Sequence, residues 1–159
     1  MLIREEVDTR ATPERAWELI RDPWLHVRWN PRILETEVLS SGAPAVGFRY
    51  RVTYELANHR DPFDAEIVEF VPGERWAVRL EERLKGDGRN FQRYMIESYT
   101  IAAQGDVTHV THEVRIHHPG VNPLLRFFIW IVMRYGRPVD GTFMDRFREL
   151  AEGETRKAA

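Results

Sequence analysis

The sequence contains no cysteine, and this absence excludes several kinds of chemistry. Disulfide bonds, a thiolate nucleophile and a zinc site built from cysteine ligands are all ruled out. Apolar runs are short: the longest, Phe127 to Met133, is far below the roughly 20 residues that a transmembrane helix needs. The early charges at Arg4, Glu5 and Glu6 do not fit a signal peptide, so we expect a cytoplasmic protein.

Neither sign of charge dominates the chain. Lysine and arginine total 23 and aspartate and glutamate total 25, which leaves a formal net charge of −2. This balance supplies no positive field for nucleic acid, so we expect no nucleic-acid partner. Phosphate-binding loops, dinucleotide-binding glycine turns and the nucleophile elbow of serine hydrolases are missing as well. We therefore expect no cofactor.

Six histidines are present, but their spacing does not favour a metal site. His109 and His117 fall on the same face of a predicted strand, at positions roughly 26 Å apart. His117 and His118 are adjacent and supply at most two ligands. We predict no metal site, because a third ligand at a suitable spacing is missing.

The residues that are present suit one folded domain. A chain of 159 residues, 43% hydrophobic and 30% charged, is long enough to bury one sizeable core. Five tryptophans, five tyrosines and eight phenylalanines give that core large flat surfaces. We assign residues 1–153 to the domain and residues 154–159 to a flexible tail.

The N-terminal part is predicted to form a strand from Ile3 to Thr9, followed by two short helices. Thr12 is a favoured N-cap and Pro13 a favoured first helical residue, and Asp22-Pro23 separates the two helices. Turn residues divide the next part into strands, which predicts an antiparallel meander. The six predicted strands are Ile33–Leu39, Phe48–Leu56, Phe63–Val71, Arg75–Arg83, Arg93–Ala102 and Val107–Ile116.

The pattern becomes helical from Leu124 to Leu150, with an interruption at Pro138. Because a proline inside a helix removes a hydrogen bond and clashes with the preceding turn, we predict two segments. The first ends near Tyr135, and the second runs from about Pro138 to Glu152. The order of elements predicts an α+β fold with the helices on one face of the sheet.

Turn positions decide which side chains share the inner face of the sheet, because side chains alternate along a strand. A two-residue turn at Pro72-Gly73 would place mostly apolar residues opposite one another. The expected pairs are Val71 with Glu74, Glu69 with Trp76, Ile67 with Val78 and Ala65 with Leu80.

The last hairpin places three polar residues on the inner face, Glu97, Tyr99 and His112, among apolar neighbours such as Met95 and Val114. For this hairpin, a turn centred on Gln104-Gly105 and one spanning Gln104 to Val107 predict the same face. A bare carboxylate in an apolar interior is costly. These residues therefore indicate a cavity that holds solvent or a ligand.

Several segments together resemble the START-like (SRPBCC) superfamily, and within it the bacterial polyketide cyclase/dehydrase-like group. They are Ala11–Ile20, Trp29-Asn30-Pro31, Val46-Gly47, Ile67–Arg75 and Gly105–Thr111. The resemblance implies the helix-grip fold, in which a curved seven-stranded antiparallel sheet wraps a long C-terminal helix over an apolar cavity. It also implies a small hydrophobic ligand such as a lipid or polyketide. The group has no shared catalytic signature.

Two functions therefore stay open at this point. Glu97, Tyr99 and His112 either satisfy one another and orient a ligand in a carrier or sensor, or act as general acid and base in a cyclase, aromatase or dehydratase. The aromatic residues either form the core or stack on the ligand, and Trp29 is placed near the expected cavity mouth. The candidate ligand-binding residues are Trp29, Tyr50, Tyr54, Trp76, Met95, Val114, Phe127 and Ile131.

The segment Phe127–Met133 is apolar on every side of its predicted helix. One side faces the sheet and the cavity. The remainder predicts packing within the chain together with a homodimer interface, or else transient contact with a membrane surface.

Overall fold

Residues 2–56, 59–82, 94–117 and 143–153 are described by the computed structural model. Within these ranges the chain forms seven strands, two α-helices and one 3₁₀ helix. In chain order they are β1 (Leu2–Thr9), α1 (Pro13–Arg21), the 3₁₀ helix (Pro23–Arg28), β2 (Ile33–Val38), β3 (Arg49–Leu56), β4 (His59–Val71), β5 (Arg75–Glu82), β6 (Tyr94–Gln104), β7 (Val107–His117) and α2 (Phe143–Ala151).

The seven strands form one antiparallel sheet in the order β1-β7-β6-β5-β4-β3-β2. Strands β2 to β7 pair with their neighbours in sequence, which confirms the predicted meander. Strand β1 forms one edge of the sheet and pairs with β7, so the first and last strands in sequence are adjacent. The α+β class and the antiparallel sheet with a C-terminal helix are as predicted.

Local signals explain the N-terminal helix. The Thr12 hydroxyl accepts a hydrogen bond from the Arg15 amide at 3.3 Å, and Pro13 opens the helix. Helix α1 then packs against β6 and β7 and buries the apolar residues Ala16, Trp17, Leu19 and Ile20. The second predicted short helix is a 3₁₀ helix, which lies against the edge strand β2.

Helix α2 lies within the segment that the sequence predicts to be helical from about Pro138 to Glu152. Its buried residues are Met144, Phe147 and Ala151, and it packs against β1 and α1. The predicted interruption at Pro138 and the apolar segment Phe127–Met133 lie outside the described residues.

The predicted pairing of β4 with β5 is wrong next to the turn. Val71 pairs with Arg75 rather than Glu74, and Trp76 pairs with Phe70 rather than Glu69. The cause is a turn of three residues, Pro72 to Glu74, in place of two. A bulge between Ile67 and Glu69 adds one residue to β4, so that Glu69 and Phe70 exchange faces and the predicted register returns at Ile67. The bulge puts the Phe70 ring against the core, and the Glu69 carboxylate instead binds Arg75 at 2.7 Å.

Beyond the bulge the predicted pairs are confirmed, with Ile67 opposite Val78 and Ala65 opposite Leu80. The last hairpin also has the predicted faces. Its turn consists of Gly105 and Asp106, since Gln104 pairs with Val107, and Gly105 adopts a φ of 60°. This turn places Tyr99 opposite His112 and Glu97 opposite Val114.

Candidate functional site

A buried group of four polar residues occupies the inner face of the sheet, and we call it the Glu97 cluster: Tyr54, Glu97, Tyr99 and His112. The Glu97 carboxylate accepts three hydrogen bonds. Oε1 accepts from the Tyr99 hydroxyl at 2.7 Å and from His112 Nε2 at 2.9 Å, and Oε2 accepts from the Tyr54 hydroxyl at 3.1 Å. The cluster confirms that the three predicted polar residues lie together and adds Tyr54 as a fourth.

Strand pairing explains how three members of the cluster meet. Tyr99 lies directly opposite His112, so their side chains leave the sheet side by side. Their rings stack with centroids 4.7 Å apart. Glu97 lies two residues before Tyr99 on β6 and therefore shares its face. Tyr54 comes from β3 and reaches Glu97 across the concave side of the sheet.

Glu97 and His112 form a buried ion pair. Burial by itself raises the pKa of Glu97, but the hydrogen bond and charge of His112 and the Tyr99 hydroxyl outweigh it and lower this pKa to about 2. Burial likewise lowers the pKa of His112, but the carboxylates of Glu5 and Glu97 raise it to about 9. At neutral pH the pair is therefore carboxylate and imidazolium.

The tyrosine hydroxyls keep their protons and act as donors. Burial raises the pKa of Tyr54 and of Tyr99 well above the usual value, and the charge of Glu97 raises both further. Tyr50 lies on the same face of β3 and is affected in the same way. None of these phenols ionises near neutral pH, so each remains a hydrogen-bond donor.

The second imidazole nitrogen of His112 faces β1. Its Nδ1 is 3.6 Å from Oε2 of Glu5, an ion-pair contact too long for a hydrogen bond. Among the described residues, this buried nitrogen has no hydrogen-bond partner. Glu5 pairs with His112 across the strands, and its side chain stays 32% exposed.

Trp29 packs between Tyr99 of the Glu97 cluster and helix α2. Trp29 is 1% exposed and contacts Tyr99, stacks on Phe143 and meets Phe147 edge to face. Its indole N–H donates to the Leu19 carbonyl at 3.2 Å, which ties it to α1. Packing accounts for the position of Trp29, and its contact with a ligand stays a prediction.

The other candidate ligand-binding residues differ in how they are placed. Tyr50 and Trp76 are buried, and Met95 is partly buried against the core. Val114 is half-buried opposite Glu97. Phe127 and Ile131 lie outside the described residues. For all of these, ligand contact stays a prediction.

Three residues of the site were missed by the sequence analysis: Glu5, His26 and Phe143. Glu5 had a usable signal, because it lies two residues from both Ile3 and Val7 and therefore shares their face of β1. His26 had none, since it lies in a 3₁₀ helix without periodicity. It contacts Trp76 and Tyr99 and binds the Ile20 carbonyl through Nε2 at 2.7 Å. Burial lowers the pKa of His26, and it stays neutral.

Phe143 begins α2 and sets its ring edge against His112, with centroids 4.9 Å apart. The contact connects the C-terminal helix to the Glu97 cluster. This contact depends on α2 beginning at Phe143, and the sequence pattern did not indicate that starting residue.

In the part of the chain that the structure covers, no group of three or more histidine, aspartate or glutamate side chains is arranged to hold a metal ion. The helices seen in these same ranges are all too short or too polar to span a bilayer.

Solved structures with the same architecture define the fold. A protein of Thermus thermophilus superposes with a TM-score of 0.72 at 16% identity, covering 98% of this chain and 100% of the other. A START superfamily protein of Mycobacterium smegmatis gives 0.67 at 16%, covering 97% and 99%. DynU16, from the dynemicin biosynthetic locus, gives 0.59 at 19%, covering 96% of this chain and 48% of its own. These likenesses show that the chain shares the fold of these proteins, a curved seven-stranded antiparallel sheet with a C-terminal helix.

The sequence itself decides the family. The family described as polyketide cyclase/dehydrase and lipid transport matches residues 2–152. The chain therefore belongs to this family, and the resemblance seen in its motifs is confirmed. Among curated proteins, none matches the sequence.

Proposed function

We propose that the protein binds a small, mainly apolar ligand between the concave face of the sheet and the C-terminal helix, as a carrier or sensor that does not convert it. The observation that carries the proposal is the Glu97 cluster, a polar group enclosed by aromatic and aliphatic side chains. Ligand sites have this composition, because apolar walls supply affinity and a few polar groups orient the ligand.

The protonation states of the cluster favour binding over turnover. A general base works best when its pKa lies near the working pH. Glu97 has a pKa of about 2 and already accepts three hydrogen bonds, so it is a weak base. His112 has a pKa of about 9 and holds its proton in the ion pair. Such a cluster orients a ligand more readily than it transfers protons.

A second candidate function is cyclisation or dehydration of a polyketide. It is favoured by one observation, the protonated His112 whose Nδ1 has no hydrogen-bond partner among the described residues. An imidazolium beside a ligand carbonyl would stabilise the negative charge that develops on oxygen during ring closure. The family description, polyketide cyclase/dehydrase and lipid transport, is consistent with such chemistry.

The proposed ligand is tested by native mass spectrometry of protein purified from its own host. We expect a species heavier than the bare chain, and a hydrophobic small molecule on extraction with organic solvent. Protein that is empty, together with a thermal-shift screen of lipids and polyketides that shows no stabilisation, would contradict ligand binding.

The two functions are separated by Glu97→Gln and His112→Ala, with Glu113→Gln on the outer face of β7 as a matched control. A carrier shows no turnover in the wild type, and both site variants lower ligand affinity or stability. An enzyme instead loses turnover in both variants while ligand affinity stays within about tenfold, roughly 1.4 kcal/mol. Product analysis and titration calorimetry on the same samples decide between them.

A further inference from the structure

A continuous row of side chains crosses four strands on the concave face. Trp76 pairs with Tyr99, Tyr99 with His112, and His112 with Glu5. Neighbouring strands are about 4.8 Å apart, so the row is roughly 14 Å long, comparable to a small organic molecule. We call these four residues the cross-strand row.

Two donors of the cross-strand row are unpaired in the described ranges, since even the Glu5 carboxylate stays 3.6 Å from Nδ1 of His112. In the ranges that the structure covers, Nδ1 of His112 and Nε1 of Trp76 are both buried without a hydrogen-bond partner. The Glu97 carboxylate beside the row already accepts from two tyrosines and from His112. A buried donor is costly unless an acceptor reaches it. Among the described residues, the row therefore leaves two donors for which a ligand can provide an acceptor.

The charge at this end of the row is negative in spite of the imidazolium. His112 Nε2 is 2.9 Å from Glu97 and its Nδ1 is 3.6 Å from Glu5, so one cation faces two carboxylates. His26 is neutral because burial lowers its pKa. The positive charge of Arg32 lowers the pKa of Tyr54, but Arg32 is exposed, so water screens its charge. A carboxylate on a ligand would be the third carboxylate beside a single imidazolium, and the other two would repel it.

Building on the proposed binding function, we infer that the ligand presents an uncharged oxygen acceptor, such as a ketone or ester carbonyl, to the Nδ1–H of His112. The row at the same time discriminates against ligands with a carboxylate head. A neutral carbonyl accepts a hydrogen bond from Nδ1–H without adding charge. A carboxylate accepts the same hydrogen bond, but the Glu5 and Glu97 carboxylates repel it and weaken its binding. A second carbonyl on the ligand has Trp76 Nε1 available two strands away.

The test uses displacement of a neutral fluorescent probe, N-phenyl-1-naphthylamine, from the wild-type protein. Three competitors share a naphthalene ring and differ only in the substituent: acetyl, carboxylate and ethyl. We expect 2-acetylnaphthalene to compete at least about tenfold better than 2-naphthoate and than 2-ethylnaphthalene, which corresponds to about 1.4 kcal/mol. Equal competition, or a preference for 2-naphthoate, overturns the inference.

Substitutions locate the selectivity in the row. Glu5→Gln removes one carboxylate while keeping the shape of the side chain, and we expect the acetyl-to-carboxylate preference to fall about fivefold or more. Glu6→Gln, the matched control on the opposite face of β1, is expected to keep the wild-type preference. An unchanged preference in Glu5→Gln, with folding verified by circular dichroism, removes Glu5 from the explanation and contradicts the charge argument.

The outcomes separate this inference from the function on which it rests. Binding of the probe without preference among the competitors overturns the inference and leaves the proposed function standing. Failure of the wild type to bind the probe or any of the three competitors counts against both.

Discussion

At the scale of single residues, the ion pair of Glu97 and His112 is the most unusual feature of the interior. Moving two charges out of water costs several kcal/mol per ion, and their attraction offsets this only when further hydrogen bonds are present. Here Glu97 accepts hydrogen bonds from two tyrosine hydroxyls, and the His112 ring stacks on Tyr99. Loss of one partner would leave the other charge buried and unpaired.

The pKa shifts of the pair predict how stability depends on pH. The folded-state pKa of His112 is raised from 6.5 to about 9, so its contribution is full below 6.5 and is lost as pH rises through 9. The folded-state pKa of Glu97 is lowered from 4.5 to about 2, so its contribution is full above 4.5 and is lost as pH falls through 2. Both contributions are complete between pH 4.5 and 6.5.

Urea unfolding of the wild type and of the double variant Glu97→Gln/His112→Gln, at intervals from pH 3 to 10, measures this dependence. Titrating groups away from the pair are present in both proteins and largely cancel in the difference. His26 responds to Glu97 and to His112, but burial lowers its pKa, so it titrates below the interval of interest. We expect the difference in unfolding free energy to decrease from pH 6.5 towards 9. A difference that is flat across this interval would show that His112 is not held protonated.

At the scale of secondary-structure elements, strand alternation was the most informative pattern in the sequence. It placed Glu97, Tyr99 and His112 on one face because the period of two is local and both turns considered for the hairpin give the same face. The same rule failed for Glu69, because the bulge at the end of β4 inserts a residue. Nothing in the local sequence distinguishes Val68 as the inserted residue. The advantage of burying Phe70 in place of a carboxylate appears only in the packed sheet.

Glu152, the residue after α2, is hydrogen-bonded to the end of β1, which leads to a prediction for this part of the fold. Oε1 of Glu152 accepts from the Arg10 amide at 2.7 Å and from the Thr9 hydroxyl at 3.1 Å. The hydrogen bond from the Arg10 amide is the main cause that lowers the pKa of Glu152. We expect Glu152→Ala to lower the unfolding free energy by roughly 0.5–1.5 kcal/mol.

Chemical denaturation measures this loss, and Glu152→Gln is the matched control because its amide oxygen still accepts both hydrogen bonds. We expect the glutamine variant to keep most of the stability. Equal losses in the two variants would mean that charge, rather than the hydrogen bonds, attaches the helix.

At the scale of the whole molecule, one aromatic cluster connects parts of the chain that are distant in sequence. Trp29 follows the 3₁₀ helix, Tyr99 belongs to β6, and Phe143 and Phe147 belong to α2, yet their rings are in contact. The sheet and the C-terminal helix are therefore packed through the same side chains that cover the Glu97 cluster. Phe143 also links the start of α2 to His112 of the Glu97 cluster.

The apolar segment Phe127–Met133, defined by sequence alone, leads to a prediction about the surface of the protein. Contact with a membrane requires an apolar surface that inserts at the interface, and Trp130 lies at the centre of the segment. If the segment contacts membranes rather than a second subunit, the wild type floats with liposomes in a density gradient and Trp130→Glu does not. Trp24→Glu, a substitution of an exposed tryptophan in the 3₁₀ helix, is the matched control.

Wild-type protein that stays at the bottom of the gradient would contradict membrane contact. The homodimer alternative would then be examined by analytical ultracentrifugation of the wild type and Trp130→Glu.

The sequence by itself determined the fold class, the order of strands and helices, the family, and the shared face of Glu97, Tyr99 and His112. These depend on local periodicity, turn residues and capping, which are present in a few neighbouring residues. The tertiary structure decided that Tyr54 and Glu5 join them, because both come from other strands across the curved sheet. It also decided which groups carry charge, since a pKa depends on the sum of burial and of every neighbouring charge.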